Sequence, residues 1–134
     1  MGVRSLVVDT SVVLAVALGE PEKSKLVRMT KGTALLTPAS MKWEIGNALS
    51  VMFKKKRMTL HEAKKVWDIC MDIPLQYVDV DPIRSLEISF EGDLYAYDAY
   101  MIACCLERKA PLLTLDRVLL QKAVLFDVST EAMP

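Results

Sequence analysis

The sequence predicts an α/β domain built on a parallel sheet, and three features carry that prediction. Short apolar runs with strand character alternate along the chain with stretches of helical period. No two of these runs are joined by a two-residue turn, which leaves crossover connections between parallel strands. The first run, Leu6-Val7-Val8, is apolar at every position, as a strand covered on both faces must be, and it closes on one carboxylate, Asp9.

The first strand spans residues 5–8. Thr10 or Ser11 can cap the apolar helix that follows at 11–18, and Gly19 stops it. Glu20-Pro21 opens a second helix, 22–29, which Gly32 ends. A second strand at 34–37 is broken by Pro38, whose ring suits the first turn of a third helix at 39–54. Met41, Ile45, Ala48, Leu49 and Met52 form the apolar stripe of that helix, and Glu44 shares a side of it with Asn47. Thr59 and Glu62 have capping-box spacing and start a fourth helix that runs to about 71. Pro74 separates it from a third strand at 75–80. Asp81-Pro82 is a cap followed by a first-turn proline; the helix it opens, 83–90, is stopped by Gly92. A long helix covers 94–109, with Asp98 in its first turns, and Pro111 terminates it. A fourth strand at 112–115 ends at Asp116, and a brief helix at 117–123 leads to a fifth strand at 124–128. With no repeat and no linker, residues 1–134 read as one domain.

Composition narrows the function. At 52% hydrophobic and 25% charged residues the chain is globular rather than disordered. Seventeen basic residues balance seventeen acidic ones, so no global field draws it to nucleic acid or membrane, and a polyanion must be met by a local patch. The longest apolar run, 12–18, is far short of the ~20 residues of a membrane span. The strand starts almost at once, so no signal peptide is expected. Cys70, Cys104 and Cys105 lack metal or disulfide spacing and read as buried apolar residues in a reducing, cytoplasmic setting. His61, the only histidine, falls in a first helical turn and reads as an exposed bystander.

The acids carry the chemistry. If the first and fourth strands are parallel neighbours, Asp9 and Asp116 emerge at one edge, and the helices holding Glu44 and Asp98 begin or end near it. Four carboxylates there would coexist only if protonated or bridged by cations. Oxygen-only ligation favours Mg²⁺ or Mn²⁺ over Zn²⁺, and a hard divalent ion at such a site suits phosphodiester hydrolysis. Helix capping explains Asp9 and Asp116 equally well. Asp98 and Glu44 sit among apolar residues, where a carboxylate needs a partner: a metal, or a nearby lysine or arginine.

Four short motifs resemble the PIN-domain family, and within it the VapC-type toxin ribonucleases: Val7-Val8-Asp9-Thr10-Ser11, Trp43-Glu44-Ile45-Gly46-Asn47, Tyr97-Asp98-Ala99 and Leu113-Thr114-Leu115-Asp116. The resemblance spans essentially the whole chain. It implies a three-layer sandwich, a parallel five-stranded sheet in the order 3-2-1-4-5 with helices on both faces. It also implies a catalytic acidic site of Asp9, Glu44, Asp98 and Asp116, with Asp9, Asp98 and Asp116 as metal ligands for Mg²⁺ or Mn²⁺. Thr10, Ser11, Asn47 and Thr114 would support it. The implied activity is metal-dependent endoribonuclease cleavage of RNA, with Asp98 or Asp116 holding or deprotonating the attacking water. The implied partners are an antitoxin protein and a second copy of the chain. Tyr100 and Met101 depart from the small and aromatic residues the family often has after Tyr-Asp-Ala.

Other readings stay open. Lys54, Lys55 and the cations after them can follow an RNA backbone or merely close a helix. Arg117 can hold a phosphate or pair with an acid. Tyr95, Tyr97 and Tyr100 can stack on a base or pack inward. A phosphoryl-transfer or receiver-like domain would need a second acid near Asp9 and a lysine after a late strand, and neither is present. A PIN-like domain that binds RNA without cutting it is the other alternative.

Overall fold

The chain, described over residues 2–131 in a computed structural model, runs β1 (Ser5–Val8), α1 (Thr10–Ala17), α2 (Lys23–Thr30), β2 (Ala34–Pro38), α3 (Met41–Lys54), α4 (Leu60–Asp72), β3 (Leu75–Val78), α5 (Pro82–Gly92), α6 (Ala96–Arg108), β4 (Leu112–Leu113) and α7 (Arg117–Leu125). The strands are all parallel, in the order β3-β2-β1-β4. Val7 stands level with Leu36 on one side and with Leu112 on the other, so β1 is central. Successive strand residues face opposite ways, and Leu6, Val7 and Val8 are all buried, so both faces of β1 are covered. α6 packs against β1 and β2, and its Met101, Ile102, Ala103 and Cys104 are fully buried.

Local chemistry sets the helix boundaries. Thr59 and Glu62 close the expected capping box on α4, each bonding the other's backbone N–H. Asp81 caps α5 by accepting from the Ile83 N–H at 3.0 Å. Gly19, at φ 68°, ends α1 in the left-handed conformation that glycine adopts without strain. The three cysteines are buried and unbridged; burial pushes the Cys70 thiol up to about 11 and that of Cys104 to about 12. Among the described residues, no helix is long and apolar enough to cross a membrane.

The sequence expectation is corrected in several places: Asp9 rather than Thr10 or Ser11 caps α1, Pro38 is the last residue of β2, and β3 ends at Val78 rather than at 80. Among the described residues there is no fifth strand: Val124 and Leu125 continue α7, because Leu119 and Ala123 lie four apart on its buried face. Residues 129–131 still flank β4, through the bonds Leu112 N–H to Ser129 O and Glu131 N–H to Leu112 O, but they form only one bridge, at Thr130. Gly92 does not stop α5; it is the last residue of that helix, and Asp93 takes the left-handed position instead, at φ 52°. Gly92 serves close packing, since a Cβ there would lie 2.8 Å from the Phe126 ring. Finally, β4 is shorter than expected, because Thr114 and Leu115 turn away to bond with groups that follow β1.

Candidate functional site

β1 and β4 are adjacent and parallel, so the residues after them leave the sheet at one edge, where ligands of open α/β sheets bind. Asp9 directly follows β1 and is buried. Its Oδ1 accepts from the Val12 N–H at 3.2 Å and from the Ser11 hydroxyl at 2.6 Å. Its Oδ2 accepts from the Thr114 hydroxyl at 2.6 Å. Each hydroxyl has one proton, and a second bond fixes where it points. Ser11 Oγ accepts the Leu115 N–H at 3.0 Å, and Thr114 Oγ1 accepts the Asp116 N–H at 2.9 Å. Both protons therefore go to Asp9. Even so, burial holds its carboxyl above the ordinary range. The Ser11, Thr114 and Val12 donors pull it down, and the charge of Asp116 adds to the rise.

The other wall is built differently. Glu44 lies in the first turn of α3 and Asp98 in the first turn of α6. The Glu44 carboxyl is pushed up to about 7, by burial first; the Thr10 hydroxyl opposes the rise, and the charges of Asp9, Asp98 and Asp116 reinforce it. The buried Thr10 hydroxyl points at Met41 Sδ, 3.1 Å away, and sulfur is a weak acceptor. Glu44 Oε2 is buried with no hydrogen-bond partner. Asp98 is also raised, by burial and then by Asp116. Asp116 caps α7, its Oδ1 accepting from Val118 and Leu119.

The four acids thus share one electrostatic field. The ion pairs Arg4–Glu131 and Arg84–Glu91 lie elsewhere. The four acids do not share a contact, however. Among the described residues, no three carboxyl, imidazole or thiol groups stand close enough to enclose one metal ion as they are oriented. The reason is local: both Asp9 oxygens are taken by donors, and Asp116 is turned to the start of α7.

Of the expected supporting residues, Ser11 and Thr114 bond Asp9, and Thr10 lies between Met41 and Glu44. Asn47 is exposed, and among the described residues its side chain makes no hydrogen bond to an acid. Lys54 and Lys55 are at the far end of α3, about 15 Å from Glu44 at ~1.5 Å per residue. Arg117 is exposed beside Asp116. Sequence reading missed a groove at the starts of α3 and α6, lined by Ser40, Trp43, Asp79, Tyr97 and Tyr100. Its one signal is that Trp43 precedes Glu44 as Tyr97 precedes Asp98.

The PIN domain family matches residues 6–125 of the chain. Among solved structures, PAE2754 from Pyrobaculum aerophilum is 26% identical with a TM-score of 0.69, over 91% of this chain and 87% of that one. VapBC2 from Rickettsia felis, in a structure bound to a DNA fragment from their promoter, is 12% identical with a TM-score of 0.70, over 95% of this chain and 97% of that one; that likeness is one of fold alone. No curated protein matches the sequence.

Proposed function

The chain belongs to the PIN-domain family, and from that premise we propose that it is an Mg²⁺- or Mn²⁺-dependent endoribonuclease, the toxin of a type II toxin–antitoxin pair. One observation carries the reading: the charges of Asp9, Asp98 and Asp116, from three other stretches, all bear on Glu44, whose buried Oε2 has no hydrogen-bond partner among the described residues. Carboxylates that raise one another, with oxygen the only donor atom among them, fit a hard divalent ion. Asp9, Asp98 and Asp116 would hold it, which draws these side chains closer together than they stand. Such an ion, when bound, supplies Lewis-acid stabilisation of the charge that builds on a phosphodiester under attack.

The chain's own groups supply orientation and proton transfer. Ser11 and Thr114 hold the Asp9 carboxylate in one orientation through their committed protons. Asp98 or Asp116 would hold the attacking water and take its proton. The water oxygen then bonds to phosphorus as the bond to the leaving ribose oxygen breaks, and the proton ends on the departing alkoxide.

The antitoxin partnership is supported by likeness of fold to the VapBC2 assembly and by an apolar cavity of about 360 Å³, lined by Val12, Val13, Val16 and Leu26 of α1 and α2. A second copy of the chain is supported by the exposed apolar stripe of Ile83, Leu86 and Phe90 along α5.

The purified protein is expected to cut single-stranded RNA with Mg²⁺ or Mn²⁺ and to stop in chelator. Asp98→Asn should lower the rate at least ~10³-fold with its circular dichroism unchanged. Cleavage persisting in an Asp9→Asn, Asp98→Asn double variant, free of host nuclease, excludes this site.

A further inference from the structure

We propose that the groove between α3, α6 and the end of β3 is a stacking subsite for an unpaired base of RNA, beside the carboxylates; it rests on the ribonuclease reading above. The groove holds about 400 Å³, within the range of small-ligand clefts. Trp43, 70% exposed, stands on its α3 side, and Tyr97 and Tyr100 on its α6 side. An indole left that exposed gains nothing from the core, so packing does not account for it. The two tyrosine rings meet edge to face at 6.3 Å and 76°, which steadies Tyr97. Glu44 follows Trp43 and Asp98 follows Tyr97, each one position on and about 100° round its helix, so the groove opens on the neighbouring side of α3 and α6 from the acids.

Polar groups refine the choice of ligand. Ser40 lines the groove, but its Oγ is buried without a hydrogen-bond partner and does not open onto it. Asp79 also lines the groove. A carboxylate there repels phosphate and accepts from amino groups, so a base rather than the backbone belongs at that point. Guanine, with N–H donors side by side on its Watson–Crick edge, suits it best. A duplex keeps its bases stacked and cannot enter such a groove.

The chain has two tryptophans, so Trp67→Phe leaves Trp43 as the only indole reporter. In chelator, where no cleavage is expected, a six-nucleotide single-stranded RNA containing guanine should quench Trp43 emission, and the same sequence as a duplex should not. Trp43→Ala or Tyr97→Ala, read by labelled-RNA anisotropy, should weaken binding about 5- to 100-fold, the loss of one stacked base. Tyr97→Phe should stay within about twofold, since stacking needs the ring and not the hydroxyl. Equal affinity in Trp43→Ala and its parent overturns the proposal. So does emission that responds to protein concentration and not to RNA, which marks a protein contact. If RNA binds through Trp43 but is not cut when Mg²⁺ is added, the subsite stands and the ribonuclease reading falls. If RNA is cut and Trp43→Ala leaves KM unchanged, the subsite falls and that reading stands.

Discussion

Asp9 and Glu44 both place a buried carboxyl oxygen within reach of the other's charge, and the chain treats them differently. Asp9 receives donors from Ser11, Val12 and Thr114, the last of which ties the ends of β1 and β4 together. Glu44 keeps Oε2 buried with nothing donating to it. The first carboxylate is accounted for by folding: it caps α1 and ties two strand ends. The second is not, because an unpartnered buried oxygen among other acids costs stability and gives the fold nothing. The β1–β4 side therefore serves structure and site together, whereas the α3–α6 side carries charge that only a ligand explains.

The widest expected difference between the two sides is in stability without metal. Thr114→Val keeps shape but strips Asp9 Oδ2 of its donor and the Asp116 N–H of its acceptor. It should cost about 2 to 3 kcal/mol in urea unfolding in chelator. Asp98→Asn removes a half-buried charge raised by its neighbours and should leave stability unchanged or slightly improved. Equal losses in the two variants would erase the distinction between the sides.

A smaller effect is the pH dependence of the Glu44 side. Glu44 rises from 4.5 to about 7 on folding, so between those values the native state binds more protons than the unfolded one. Stability then falls as pH rises through that window. On the order of 1 to 2 kcal/mol should be lost between pH 5 and 8, less than the full shift implies because Glu44 is partly exposed. Glu44→Gln should flatten that slope. Mg²⁺ should recover the loss at pH 8 in the parent far more than in Glu44→Gln. A slope unchanged by the substitution would place the cost elsewhere.

The same contrast shows what the sequence could reveal. Asp9, Ser11 and Thr114 were legible because strand ends and hydroxyls are local signals, and neighbouring parallel strands bring them together. The acids of α3 and α6 were legible as carboxylates in apolar stretches. That they share a field without closing on one point was not, since side-chain direction depends on packing. Asn47 is exposed, since sharing a helix side with Glu44 does not place a side chain at the same depth. Lys54 and Lys55 are too far along α3. The groove of Trp43 and Tyr97 draws on three elements distant in sequence, and no local period announces such a juxtaposition. The missing fifth strand has another cause. An apolar run reads as buried, yet Val124 and Leu125 are 65% and 67% exposed.

That region supplies the smallest prediction, and a control for the other two. α7 ends where the Val128 N–H bonds Ala123 O at 3.0 Å and the Asp127 N–H bonds Val124 O at 3.1 Å, with Asp127 at φ 57° between them. This is a Schellman ending with aspartate where glycine is preferred, so no glycine marked the stop and the helix was read as too short. A non-glycine residue pays for the left-handed conformation, and Asp127→Gly should gain about 0.5 to 1 kcal/mol in urea unfolding. Asp127 is exposed and takes no part in the fields at Asp9, Glu44 or Asp98. The gain should therefore be the same at pH 5 and pH 8, with and without Mg²⁺. A gain that varies with either would mean that the β4 side of the sheet carries strain from the acidic edge to its far end, and that the two sides are less separate than their hydrogen bonds imply.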